Sequence, residues 1–467
     1  MTHHVSLTEN MEKFEMKMPS LALALPIITV VAGVSILYWG GAGIGSAPTD
    51  AVAERQIWQS NGYGHILDVN GDSVDIYSST TDSLVPFGKG HIENGGDLYV
   101  DQTFAADQED QEFFLGRFVD GAMTDQLGYT KTYRRLDRLP VTKYSGFSED
   151  PVRNFEVFWQ SYQEQFSFFP VVKLDWEGIY REYRPQVTPA TTAQQLQEVL
   201  RAMMRRLHDG HSVLFSGDEV FMSHTESLRE QFFQENRDAI AQNIREQYIE
   251  GGLTSTLDGR IEYGRTRSGE GYVNLLEFDV SDPRKVEQAL NHMVGDLHNC
   301  RNFIVDLRFN RGGEDFFGIK VAGLFTDERK LAYRKQARVG GYDEFSEPAS
   351  IYIEPAANGL AADKVVVLTS PLTVSAGETA TMALNELDQA VTIGEQTAGF
   401  FSDMLLKMLP NRQLFSLSNE RYTTATGVNY EQLGLPPDEQ ITTTQADVAA
   451  LRDPVMDRAL ELSKGTR

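Results

Sequence analysis

From Lys364 to Leu384 the chain reads KVVVLTSPLTVSAGETATMAL, an apolar run that breaks at Ser370-Pro371 and resumes with helical spacing just after Thr373. Nothing polar alternates within Val365-Val366-Val367-Leu368, so the pattern predicts a strand buried on both faces. A helix follows, with Ser375 in its first turn. GYVNLLEF and NFIVDLRF give two further continuous strands, VEQALNHMVGDL a helix, and FFGIKVAGLF a helix after the glycine pair of NRGG. Strand and helix alternate, which predicts an α/β unit with a largely parallel sheet.

The preceding segments follow other periods. Residues 57–141 carry short alternating stretches (HILDV, SVDIYS, DLYVD) separated by Asn-Gly, Gly-Asp and Gly-Gly turns, a small β domain with Trp58, Tyr63 and Tyr77 as core aromatics. AADQEDQE within it reads as a solvated loop. Phe155, Phe158, Trp159, Tyr162 and Phe166, then Leu196, Val199, Leu200, Met203 and Leu207, recur at helical spacing. The second of these helices is expected to end at Gly210 and to deliver His211 at a helix-to-strand corner. Residues 223–249 form a strongly polar helix with Leu228, Phe232, Ile240, Ile244 and Tyr248 as its apolar stripe, a possible lid or docking arm. The expected partition is a signal or anchor at 1–50, the β domain at 51–143, a helical part at 144–222, the polar helix at 223–268 and the α/β core at 269–467.

No charge occurs between Lys17 and Asp50, and PSLALALPIITVVAGVSILYW fills that interval. Such a stretch targets a membrane, either as an anchor or as a signal cut near Gly45-Ser46-Ala47. With lysines before it and acids after it, positive-inside logic exports the remainder to the periplasm or its equivalent, released or anchored.

Composition narrows the function. The 467 residues are 41% hydrophobic and 10% aromatic, enough for packed cores, and the net charge of −25 disfavours nucleic acid and anionic membrane surfaces as ligands. The one cysteine, Cys300, has no partner in the chain. No Cys and His cluster has zinc spacing, and no third ligand stands near His208 and His211, so no metal or cofactor is expected. NRGG is neither a dinucleotide fingerprint nor a P-loop, although its backbone amides remain available.

Ser375 has two readings. At a helix N-terminus it can be half of an S-x-x-E capping box with Glu378. Equally, the free amides and the dipole there would stabilise an oxyanion formed beside a serine hydroxyl, as acyl transfer requires. His211 likewise is either a satisfied structural histidine or a base.

Taken in order, HDGHS, VDLRFNRGG, TVSAGE, IGEQTAG and YEQLGLPPD resemble the tail-specific and tricorn-core serine peptidases over roughly residues 155–438. The resemblance implies a catalytic core like that of the Clp protease and crotonase group, and a polypeptide substrate. It also implies Ser375 as nucleophile, His211 as general base, Glu431 as the orienting acid, and an oxyanion hole from Gly312 and the Ala376 amide. Ser212, beside the histidine, would be an accessory. A lysine expected in one branch of the family is replaced by Phe400, which leaves histidine as the base and Lys407 as the nearest rival lysine. No PDZ segment follows His211. The same fold occurs in retinoid-binding proteins, so a lipid- or peptide-binding protein without catalysis is the alternative.

Overall fold

The computed structural model describes residues 55–105, 112–217 and 219–464. The apolar run at 19–39, and most of the acidic loop at 105–112, lie outside these residues. Among the described residues no helix is long and apolar enough to cross a membrane.

The β domain is a closed barrel, more specific than the alternating pattern implied. Its strands are β1 (Gln56–Ser60), β2 (His65–Asn70), β3 (Ser73–Ser79), β4 (Ser83–Glu93), β5 (Asp97–Thr103), β6 (Phe113–Val119), β7 (Ala122–Thr124) and β8 (Thr130–Leu136). Each pairs antiparallel with the next, and β8 returns to pair with β1, Trp58 facing Arg135. Asp120 and Gly121, both at positive φ (49° and 79°), make the two-residue β6–β7 turn, the geometry that matches strand twist. Ile66 and Leu67 are both fully buried but fall in separate apolar clusters, as side-chain alternation along a strand requires.

Asp150 then caps α1 (Pro151–Gln165) through the Val152 amide, and the aromatic stripe Phe155, Phe158 and Tyr162 is buried as its spacing predicts. A capping box of Thr192 and Gln195 starts α2 (Ala193–Arg205). This helix ends earlier than expected. His208, not Gly210, takes the left-handed conformation (φ 52°).

The core sheet holds seven strands side by side in chain order: β9 (Ile249–Thr256), β10 (Ile261–Thr266), β11 (Gly271–Leu275), β12 (Asn302–Asp306), β13 (Lys364–Thr369), β14 (Ala390–Gly394) and β15 (Glu439–Gln440). From β11 onward every pairing is parallel, with Asn302 opposite Lys364 and Val365 opposite Ala390. Val365 through Leu368 are fully buried. Val365 and Val367 face the side covered by α4 (Pro283–Leu297), α5 (Asp315–Gly323) and α6 (Ala376–Asn385). Val366 and Leu368 face the other side.

That second side is covered by the polar helix α3 (Leu228–Asn243) and the C-terminal α7 (Pro454–Lys464). Its buried stripe is Phe233, Ile240 and Ile244. Leu228, read as part of the stripe, is 83% exposed, because the capping box of Ser227 and Glu230 fixes the helix start one residue before it. A fully buried guanidinium ties α7 down: Arg308 bonds Asp306 (2.7 Å) and Asp453 (2.8 Å).

Candidate active site

The loops after β11, β12 and β13 meet at the carboxyl ends of the parallel strands, the usual place for a site in an open α/β sheet. Ser375 sits there on the turn from β13 into α6, at φ 57° and ψ −123°. Such a conformation is strained for a residue with a Cβ, and it persists only where the surroundings impose it. They do so through its amide, which donates to the Phe400 carbonyl (3.1 Å) and to Glu378 Oε2 (3.2 Å). Glu378 therefore supplies its half of the capping box. The serine hydroxyl, though at the box position, makes no cap hydrogen bond.

Gly312 is pressed against this serine. A Cβ at Gly312 would lie 2.6 Å from the Ser375 Cβ, 2.9 Å from the Val374 carbonyl and 3.1 Å from the Ala376 amide nitrogen. The Ala376 amide, in the first turn of α6, has no acceptor among the described residues. The Gly312 amide, in contrast, donates to Asn310 Oδ1 (2.9 Å), while Gly313 pairs as an isolated bridge with Phe278 through the groups on either side of its own amide.

Glu378 is fully buried and accepts from Thr397 Oγ1 (2.6 Å) and the amides of Gly399 (2.7 Å) and Phe400 (2.8 Å) as well as from Ser375. It thus knits the G-x-x-T-x-G loop to the serine. Burial raises its pKa to about 7, against the stabilising hydrogen bonds. The sequence signalled this residue only as a cap.

His211 stands before the strand Val213–Ser216, its carbonyl accepting from Ser416 Oγ (2.7 Å). The ring is nearly buried, Nδ1 has no hydrogen-bond partner, and burial lowers the pKa to about 4. No hydrogen bond joins it to Ser375. Phe400 links their surroundings. Its carbonyl holds the serine amide, and its ring lies so close to Gly210 that any Cβ there would come within 2.5 Å. The same ring meets His224 edge-on at 4.7 Å, and His224 Nε2 pairs with Glu230 (2.8 Å). Gly210 is required by this contact and not by a helix ending.

Glu431 is buried on the neighbouring loop, where its Oε2 accepts from the amides of Phe401 (3.1 Å) and Ser402 (3.2 Å). Its Oε1 has no partner, and no hydrogen bond reaches His211. Burial, then the neighbouring Asp209 and Glu378 carboxyls, push its pKa well above the carboxylate range. Asp209, unremarked in the sequence, is fully buried and accepts from Ser418 Oγ (2.9 Å). The Ser212 hydroxyl is buried beside it without a hydrogen bond.

Lys407 is elsewhere. Its Nζ donates to the Gly64 (2.8 Å) and Ser79 (3.1 Å) carbonyls of the barrel, and burial lowers its pKa to about 7. Among the described residues no group of three or more His, Cys, Asp or Glu side chains has metal-binding geometry.

Two segments of the chain match known peptidase families. Residues 269–441 match the family model described as Peptidase family S41, and residues 147–205 match that of the Tricorn protease C1 domain. Both matches, and the relatives below, support a tail-specific or tricorn-core S41 peptidase. It is 28% identical over 216 residues to the carboxyl-terminal-processing protease of Synechocystis sp. (45% of this chain, 48% of the relative). With the protein of the same name from Picosynechococcus sp. it shares 27% over 179 residues (38% and 40%). The chain thus spans less than half the length of these curated relatives. In fold it is similar to a putative peptidase from Parabacteroides merdae (TM-score 0.57, 23% identity, 68% of this chain and 97% of that one) and to mature CPAF (TM-score 0.51, 12% identity, 68% and 96%).

Proposed function

We propose that the chain is a serine peptidase that cleaves exported or cell-envelope polypeptides through an acyl-enzyme. The observation that carries this reading is the strained Ser375 at a helix N-terminus, its hydroxyl uncommitted and its Cβ packed on a glycine turn. Serine is a poor nucleophile until a base takes its proton. His211 is the residue assigned to that task, since burial keeps its ring neutral and its Nδ1 is not engaged. The oxyanion is received by the Ala376 amide and the Gly312–Gly313 turn, in line with the α6 dipole. Glu431 and Ser212 support the base side, Glu431 through its hold on the Phe401-Ser402 backbone. In this reading the α/β unit is a Clp protease/crotonase-like core, the helical segment from 144 to 222 belongs to it, and the barrel stands before it. Export rests on the apolar run and its flanking charges.

The test is Ser375→Ala in the full chain, assayed on a peptide library by mass spectrometry alongside the melting temperature. Hydrolysis is expected to vanish with the fold intact. Retained hydrolysis would remove Ser375 from the chemistry.

A further inference from the structure

A second concentration of charge adjoins Ser375 on the side that faces the barrel. Glu314 and Asp315 follow directly on Gly312-Gly313, and Asp403 comes three residues after Phe400. The Asp315 carboxylate accepts from Thr379 Oγ1 (2.8 Å) and Tyr422 Oη (3.1 Å). Thr379 is one turn of α6 from the serine, its amide on the Ser375 carbonyl (3.1 Å). Glu420 and Lys335 join from the core, Asp125 and Lys131 from the barrel. Both lysines have occupations already. Lys335 Nζ lies 3.4 Å from Glu420 and 3.8 Å from Asp125, and Lys131 Nζ sits over the Tyr63 ring. Among the described residues the Glu314 carboxylate makes no hydrogen bond or ion pair, and Asp403 is exposed, so the cluster opens to solvent.

An independent feature points the same way. The Tyr333 hydroxyl is fully buried and ends beside Asp315 and Thr379, neither of which, nor any other group among the described residues, meets it in good hydrogen-bond geometry. Its oxygen can accept from a cation. Burial and the surrounding acids lift Glu314 to about 7, and burial lifts Asp315 to about 6, with Lys335 opposing both shifts.

We propose that Glu314, Asp315, Asp403 and Tyr333 form a substrate subsite for a cationic side chain, lysine or arginine, close to the scissile bond. This rests on the peptidase reading. An ammonium or guanidinium entering from solvent would pair with Glu314 and Asp403, the two carboxylates without an ion pair, and reach the tyrosine hydroxyl behind them.

Peptide pairs differing only in lysine against norleucine at each position flanking the cleaved bond decide it. The lysine peptide is expected to have the higher kcat/KM at one position. The Glu314→Gln/Asp403→Asn double variant should reduce that ratio by about 5-fold or more, the scale of two ion pairs made at a site open to solvent. Asp403→Asn alone, at an exposed position, serves if the double variant does not fold, and Glu314→Lys should favour glutamate. Equal cleavage of the pair, or a ratio unchanged in the variants, overturns the subsite and leaves the peptidase reading standing. If the wild-type chain cleaves nothing, the peptidase reading fails. Anisotropy of the labelled peptides on Ser375→Ala protein then still decides the subsite, equal affinity for lysine and norleucine refuting it.

Discussion

Replacing Gly312 by alanine probes the nucleophile turn with a single methyl. At φ +84° a residue with a Cβ meets a cost of about 1–2 kcal/mol before any neighbour is counted. The methyl would then sit 2.6 Å from the Ser375 Cβ, 2.9 Å from the Val374 oxygen and 3.1 Å from the Ala376 nitrogen. Carbon atoms rest at about 3.5–4.0 Å, so the first overlap is roughly 1 Å. The other two neighbours are backbone and cannot rotate aside. Overpacking of this kind costs about 1–3 kcal/mol, which brings the total to about 2–5 kcal/mol. The turn can relieve the overlap only by moving Ser375 and the Ala376 amide, and a misplaced oxyanion donor costs about 10²–10³ in kcat. Turnover on a cleaved peptide and the midpoint of denaturant unfolding should both fall. Gly295→Ala in α4, where the added methyl meets nothing within 4 Å, is the control. It should gain about 0.5–1 kcal/mol and keep its turnover. A Gly312→Ala protein with turnover within about threefold of wild type and an unchanged midpoint would refute the packing argument and the site built on it.

Glu378→Gln places an amide NH2 where the carboxylate accepts from three amides and a threonine, so kcat should drop at least about tenfold, checked by turnover against melting temperature. Asp453→Ala leaves the buried Arg308 without one of its two carboxylates and should cost about 3–5 kcal/mol in urea unfolding. If the neutral His211 is the base, activity is present above its lowered pKa and lost as pH falls through about 4; an acid limb centred above pH 6 would count against it. Stability follows the same direction, since the unfolded histidine binds its proton near its ordinary pKa and the folded one does not, so it declines as pH drops from about 6.5 towards 4. Lys407→Ala removes two hydrogen bonds to barrel carbonyls that keep the Ser79 amide and Gln165 Nε2 as donors, so stability should fall by about 0.5–1.5 kcal/mol for each bond, read from the melting temperature, with kcat kept; loss of kcat at unchanged stability would make the lysine the base.

The core was legible because its strands announce themselves. Val365 to Leu368 has no polar alternation and is buried on both faces, and the glycine pair of NRGG stands where the topology needs a close approach to Ser375. Periodicity could not show that β8 returns to β1, since closure is a pairing between strands distant in sequence. Nor could it choose between Leu228 and Phe233, because a helix stripe shifts with its first residue and Ser227 sets that start. Gly210 was assigned a helix-ending role that His208 performs, whereas its real constraint is the Phe400 ring, which local sequence does not reveal. Glu378 was visible as the fourth residue of a cap, but its grip on the 397–400 loop depends on residues about twenty positions away. The hold of Asn310 on the Gly312 amide is a local turn inside a motif read only for its glycines.

The closure of the barrel also limits how a substrate chain can be held. A peptide in extended form gains affinity by adding itself as one more strand to an exposed sheet edge. In β1–β8 every strand already has two neighbours, so the barrel can offer loops and side chains but no ladder of free amides and carbonyls. Any strand-like alignment of substrate must be made on the edges of the core sheets. Under the proposed function the barrel would meet a substrate through side chains alone, and substitutions in it should alter sequence preference and leave strand-like pairing of the substrate untouched.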